Sequence, residues 1–201
     1  MANERHIKII RSKYRQFNES ELVAACLAGK RQAERELYNR FAPKMRGVAL
    51  RYASCEEAAD DILQDAFIKA FDQLKNYQDQ GNLGGWLYRI TVNTALQAYR
   101  SQKSRNTHQE AYGQQSTGFV SNESLENMNM ESLLRLIHEL PEGFRMVFNL
   151  RAIEGYSHKE IGEMLGINEG TSKSQYARAK KQLQERIIAE ENELKTRSYG
   201  S

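Results

Sequence analysis

Apolar residues recur along this chain at intervals of three and four and seldom in strict alternation, so helical periodicity dominates and strand signals are weak. Proline, which punctuates helices, stands only at Pro43 and Pro141. The pattern predicts an all-α protein in two blocks. The first runs from about Glu19 to Ser104, with internal breaks at Gly29-Lys30, at Ser54 and across the polar, Gly-containing loop from Asn76 to Gly85. The second begins near Leu125. Between them SRNTHQEAYGQQSTGFVSNES lacks a periodic apolar face and is rich in Ser, Gln, Asn and Gly, the composition of a flexible tether. The expected organisation is an N-terminal extension over 1–18, a helical domain over 19–104, a linker over 105–124, a second helical domain over 125–192 and a tail over 193–201.

The second block contains GYSHKEIGEMLGINEGTSKSQYARAKKQLQER, which spells two helices joined by a tight turn. Ser157 and Glu160 form a capping box that opens the first helix. Ile161, Met164 and Leu165 give it one apolar stripe, Gly166 ends it in the left-handed conformation, and Asn168 caps the next helix. On that next helix Ser172, Tyr176, Ala179, Leu183 and Ile187 share one face, while Ser174, Ala177, Arg178 and Lys181 point the other way. From Gly170 to Arg186 the charges are Lys173, Arg178, Lys180, Lys181 and Arg186 against Glu185, which suits a helix lying among phosphates. A solvated helical hairpin is the plainer reading, and the combined capping signals favour a DNA-binding helix-turn-helix.

In the first block Ser54 and Glu57 form a second capping box ahead of EEAADDILQDAFIKAFDQL. Ala59, Ile62, Leu63, Ala66, Ala70 and Leu74 make its buried stripe. Asp61, Gln64, Asp65, Ile68 and Asp72 lie on the far side, an acidic face with an apolar centre. Such a face is either a protein-binding surface or an ordinary solvated one carrying a stray aliphatic. Downstream the charge changes sign: Arg89, Arg100, Lys103 and Arg105 meet no acidic residue from Trp86 through Gln109. Trp86, Tyr88 and Tyr99 alternate with these cations, and the loop before them offers the amides of Gln80 and Asn82 beside flexible glycines. Cations that track a backbone, amides that read base edges and rings that stack are the parts needed to hold unstacked bases. A lone Trp followed by Leu87 and Ile90 is, however, more often a core residue.

Composition sharpens this. With 201 residues and a net charge of +3, the chain is no polycation, so its basic character is local. Cys26 and Cys55 form no CxxC and no spaced Cys/His set, so neither a disulfide scaffold nor a metal site is expected, and a reducing cytoplasm is the natural location. The N-terminus is too charged for a signal-peptide core and no run of about 18 apolar residues occurs, so membrane insertion is not expected.

DILQDAFIKAF, then GGWLYRITVNTA, then LPEGFRMVFNLRAIEGYSHKEIGEMLGINEGTSKSQYARAK together resemble an extracytoplasmic-function sigma factor of bacterial RNA polymerase. The resemblance covers nearly everything except the termini and the linker. It implies a domain 2 that binds the polymerase clamp and melts the minus-ten element, and a domain 4 that reads the minus-thirty-five element. The family's core-binding segment matches Asp61 to Leu74, with Asp61, Gln64, Asp65 and Phe67 at its best-matched positions and Ile68 and Asp72 beside them. Its base-capturing loop resembles Tyr77 to Leu83, including Gln80 and Asn82, with Trp86, Arg89, Asn93 and Arg100 on the helix that follows. Gly84 and Gly85 stand where larger polar or basic residues are frequent. The minus-thirty-five contacts fall on Lys173, Ser174, Arg178 and Lys181, and Ser172 replaces a frequent Val, which should weaken packing.

The partners implied are core RNA polymerase, promoter DNA as duplex and as melted non-template strand, and an anti-sigma factor; no cofactor is implied, and catalysis belongs to the polymerase. A stand-alone helix-turn-helix regulator would explain the C-terminal half but leave the acidic face and the aromatic-cationic loop without purpose. An enzyme acting on nucleic acid is disfavoured, because His6, His108, His138 and His158 are scattered and neither an HExxH nor a P-loop occurs.

Overall fold

A computed structural model describes residues 13–78, 82–106 and 128–199. Among the described residues there are eight α-helices and no strand, as helical periodicity predicts. The helices are α1 (Glu19–Leu27), α2 (Arg31–Tyr52), α3 (Glu56–Gln73), α4 (Leu83–Asn106), α5 (Met128–His138), α6 (Glu142–Phe148), α7 (His158–Leu165) and α8 (Glu169–Tyr199). The predicted linker lies almost wholly outside the described residues.

α1 starts at a capping box that the sequence reading missed. The Asn18 side chain accepts from the Glu21 amide at 2.8 Å, and the Glu21 carboxylate accepts from the Asn18 amide at 2.9 Å. A 3-10 turn over Lys13–Gln16 buries Tyr14 against the bundle, and the Arg40 guanidinium pins it by donating to the carbonyls of Tyr14 and Phe17. Gly29, at φ 71°, makes the predicted break before α2.

α3 buries Ala59, Ile62, Leu63, Ala66 and Ala70, and Leu74 follows in a short 3-10 turn, so the predicted stripe is the packed one. Its start differs from expectation. Cys55 is the N-cap residue and its side chain makes no capping bond, so the Ser54–Glu57 capping box does not form. Glu56 and Glu57 instead lie in the first turn, where the helix dipole favours carboxylates, and Arg46 of α2 pairs with Glu56 at 3.0 Å and Asp60 at 2.7 Å.

α5, α6 and α8 pack around Leu136, Ile137, Leu140, Ala179 and Leu183. The buried Arg145 guanidinium donates to the His138 carbonyl at 2.8 Å, satisfying one of the orphan carbonyls at the end of α5. Ile187, expected on the buried face of α8, is exposed, because the helix has by then passed the end of that core. α6 runs on into a π-helical segment, Asn149–Ile153. One further apolar cluster is shared by both halves of the chain: Val48, Ala49, Tyr52, Ala59, Ile62, Val92 and Leu96 meet Met146, Val147, Leu150, Ile161 and Leu165.

His138 sits at this shared contact. Burial, reinforced by the Arg145 guanidinium, holds its imidazole below the ordinary 6.5, opposed only in part by hydrogen bonds with the backbone at Ser54 and Leu50. The folded chain takes up this proton less readily than the unfolded one. The resulting stability is fully present above 6.5 and is lost as pH falls towards the depressed folded value. Thermal unfolding followed from about pH 8 down to about pH 5 should show a falling midpoint, and His138→Asn should reduce that slope. A wild-type midpoint that stays flat over this range would contradict the assignment.

Candidate polymerase and nucleic-acid interfaces

The helical stripe that α3 buries leaves Asp61, Gln64, Asp65, Ile68 and Asp72 exposed along its opposite face, with Ile68 52% exposed. No ion pair engages Asp61, Asp65 or Asp72 among the described residues. Phe67 does not belong to this surface. It is buried, with its ring 4.7 Å from that of Tyr38 and 6.1 Å from that of Phe71, because it falls on the edge of the stripe that faces α2. Tyr38 was missed by the sequence reading. It flanks the buried Leu37–Phe41 stripe of α2, and its exposed ring lies over Phe67, so the apolar surface extends from α3 onto α2.

α4 carries Arg89, Asn93 and Arg100 on one exposed face, at separations that bring them into line along a helix. Trp86 is half-buried and packs its ring 5.3 Å from that of Tyr77. Two acceptors fix the start of this helix. The Glu19 carboxylate, arriving from α1, accepts from the Leu83 amide at 2.7 Å, and the Asn82 side-chain oxygen accepts from the Gly85 amide at 2.7 Å. Asn82 is thus a helix cap, and only its NH2 group remains to address a base. Gln80 lies outside the described residues.

A Cβ on Gly85 would stand 2.6–2.8 Å from the Asn82 side chain that caps it, and one on Gly84 would come within 3.4 Å of the Phe41 ring. A side chain at position 85 would require the Asn82 side chain to shift, whereas one at position 84 would meet the Phe41 ring at about ordinary contact distance.

In the C-terminal half the predicted local grammar is present. Ser157 accepts from the Glu160 amide at 3.2 Å, and the Glu160 carboxylate takes both the hydroxyl and the amide of Ser157, which holds its own pKa below the usual range. Gly166 adopts φ 63°, and Asn168 accepts from the Thr171 amide at 2.6 Å to cap α8. Gly162 was not singled out from sequence, yet a Cβ there would lie 2.8 Å from the Ile167 carbonyl, so it permits the close approach of turn and helix.

Ser172, expected to weaken packing, has a partner for its hydroxyl. It is fully buried, and its hydroxyl lies 2.9 Å from Nδ1 of His158, whose ring meets the edge of Tyr176. Desolvation, then the charges of Arg151 and Lys173, lower the His158 pKa, so the ring stays neutral at neutral pH. Lys173, Ser174, Arg178 and Lys181 are all exposed on α8. Lys173 pairs with Glu169 at 2.6 Å, Lys181 more loosely with Glu185 at 3.8 Å, and the Ser174 hydroxyl donates to the Thr171 carbonyl. Arg178 has no ion pair among the described residues, which leaves it the freest cation of the set. No helix among the described residues is long and apolar enough to cross a membrane.

Residues 37–105 match the family model for sigma-70 region 2, and residues 130–183 match that for sigma-70 region 4. The chain is 27% identical over 183 residues to the ECF RNA polymerase sigma-E factor of Haemophilus influenzae, covering 86% of this chain and 96% of that protein. Against the factor of the same name from Escherichia coli K12 it is 29% identical over 183 residues, covering 86% and 95%. Among solved structures, the sigma factor RpoE from Bartonella quintana, crystallised with the anti-sigma factor NepR, has a similar fold with a TM-score of 0.52 at 21% identity, over 77% of this chain and 96% of that one. With both sigma regions in order and the relatives matched over nearly their whole length, the chain belongs to the extracytoplasmic-function sigma factors, non-enzymatic proteins that direct transcription initiation.

Proposed function

We propose that the two halves divide the work of initiation in the cytoplasm. The N-terminal helical domain, reaching back to Lys13, docks on core polymerase through Asp61, Gln64, Asp65, Ile68 and Asp72, with Tyr38 extending the apolar centre. Its Tyr77–Leu83 loop and the α4 face of Trp86, Arg89, Asn93 and Arg100 take the melted non-template strand at the minus-ten element. The C-terminal domain lays α8 in the duplex at the minus-thirty-five element through Arg178, Lys173, Lys181 and Ser174. Residues 105–124 tether the two. The observation that carries this reading is one acidic face with an exposed apolar centre, on a chain that also presents two separate cationic faces. An anti-sigma factor that covers these faces is the matching inhibitor, in keeping with the partner of the RpoE relative.

The polymerase face is the decisive part. Asp61→Lys with Asp65→Lys and Ile68→Glu should abolish co-purification with bacterial core polymerase, because contacts at the centre of an interface dominate its energy. Circular dichroism should be unchanged, since none of these side chains is buried. A folded triple variant that still binds core would sink the assignment.

For duplex recognition, Arg178→Ala or Lys181→Ala should cost roughly 1–3 kcal/mol where the side chain reads a base. Where it meets a phosphate, the slope of log affinity against log salt should flatten by about one. Arg178 should matter more, because Lys181 already has Glu185 beside it. Unchanged affinity in the double variant across a salt series would remove α8 from the DNA.

The cap at α4 separates structure from base reading. Asn82→Asp keeps the acceptor for the Gly85 amide but loses the donor group, whereas Asn82→Ala loses both and should cost about 1 kcal/mol of stability. Both should reduce permanganate-reactive thymines at the minus-ten element, and pre-melted promoter should restore part of the loss. Normal opening by a stable Asn82→Asp protein would show that Asn82 is a cap and nothing more.

A further inference from the structure

We propose that Ser172 is a positioning residue: it holds the His158 imidazole with its proton on Nε2 and leaves that N–H facing outward, to donate to a phosphate of bound duplex. The contact with DNA rests on the sigma reading above; the state of the imidazole rests on hydrogen bonding alone. Ser172 is fully buried near the start of α8, and its hydroxyl lies 2.9 Å from Nδ1 of His158. No second partner for that hydroxyl exists among the described residues. A hydroxyl carries one hydrogen and a neutral imidazole carries one, so the bond has two possible directions. Were Nδ1 the donor, the hydroxyl hydrogen would be left in the interior without an acceptor, which costs more than the bond itself contributes. The hydroxyl therefore donates, Nδ1 accepts, and the ring proton sits on Nε2. Tyr176 holds the imidazole from a second side, its ring meeting it edge-on with centroids 5.6 Å apart.

Nε2 has no hydrogen-bond partner among the described residues and is not buried, so its N–H is available to a ligand. The surroundings select an anion. Desolvation, then Arg151 of the π-helical segment and Lys173 of α8, lower the His158 pKa, and Glu169 alone acts in the opposite sense. Arg151 and Lys173 are both exposed, and the Glu169 carboxylate is already taken by Lys173 at 2.6 Å. Protonating Nδ1 would also reverse the bond to Ser172 and strand its hydroxyl hydrogen, so the same arrangement keeps the ring uncharged at neutral pH. His158 thus offers DNA a neutral donor within a cationic patch. A lysine that meets a phosphate releases counterions, whereas a neutral imidazole adds a hydrogen bond and releases none. The valine frequent at position 172 has no hydroxyl to donate, and beside it the imidazole proton would be free to occupy either nitrogen.

Nitrogen-15 NMR of the histidine-labelled full chain reads the proton directly. At a pH where the ring is neutral, His158 should show a bare Nδ1 and a protonated Nε2, and Ser172→Ala should draw the two signals towards an average. Affinity of the full chain for a short labelled duplex of mixed sequence, followed by anisotropy, should fall about tenfold in His158→Ala. The slope of log affinity against log salt should stay as in wild type, whereas Lys173→Ala should flatten it by about one. His158→Gln keeps an N–H near the place of Nε2 and should retain most of the affinity. Adding His158→Ala to Ser172→Ala should lose little more than the serine change alone, because the two act as one unit. Circular dichroism checks the fold of each variant, and the wild-type spectrum serves should Ser172→Ala fail to fold. A wild-type ring with its proton on Nδ1 would overturn the proposal, as would a flattened salt slope in His158→Ala, which would make the imidazole a cation. Weakening in Lys173→Ala but not in a folded His158→Ala would overturn the phosphate contact and leave the sigma reading standing. Weakening in neither would remove α8 from the duplex, and the nitrogen signals would still decide the role of Ser172.

Discussion

The first amides of α4 have no partners within their own helix, and the placement of the α4 face proposed to meet nucleic acid depends on how they are satisfied. Glu19 takes one from across the domain and Asn82 takes another locally. The first bond ties α1 to α4 and explains why the buried Leu83 can start a helix directly after a polar loop. The second sets the Asn82 side chain close beside Gly85, so that a Cβ there would require the capping amide to shift. From that anchored end, helical geometry alone carries Arg89, Asn93 and Arg100 onto one face.

The parts of this architecture that were legible in the sequence are those encoded within a few residues. The Ser157–Glu160 box, the turn at Gly166 and the cap at Asn168 each depend on neighbours at most four positions away, and all are present. The stripe of α3 was legible for the same reason. Contacts that span the chain were not: Glu19 reaches Leu83 across 64 positions and Tyr52 reaches Glu154 across 102, and no periodicity encodes either. Phe67 and Ser172 misled for a related reason. A residue at the edge of a stripe is assigned by its neighbour on another helix, and a buried hydroxyl is tolerable only when something distant completes it. The Ser54–Glu57 motif shows the converse, a local signal overruled when the chain enters α3 one residue later and Arg46 claims Glu56.

The contact between the two halves is mixed in character. Apolar side chains provide area, while Glu154, Asn149 and the tyrosines provide direction. Interfaces between domains of one chain are commonly of this polar kind and come apart more readily than a single core would. The Glu154 carboxylate is nearly buried and takes two hydroxyls on one oxygen, so removing these partners costs more than the bonds themselves are worth. Such an arrangement favours two discrete states over a continuum of loosened ones. The exposed cations of α8 follow a milder version of the same logic, since Lys173 and Lys181 rest on their own glutamates and exchange them for phosphate at little electrostatic cost.

The hydrogen bond between Ser172 and His158 spans the turn, with one partner on each helix of the DNA-reading pair. Grafting α8 from a relative that carries valine at that position would strand the imidazole nitrogen in a half-buried site, with an aliphatic branch where its partner had been. The two helices are therefore a single exchangeable cassette: chimaeras that swap promoter preference have to move from Ser157 onward as one piece, and a library randomising α8 should leave position 172 fixed.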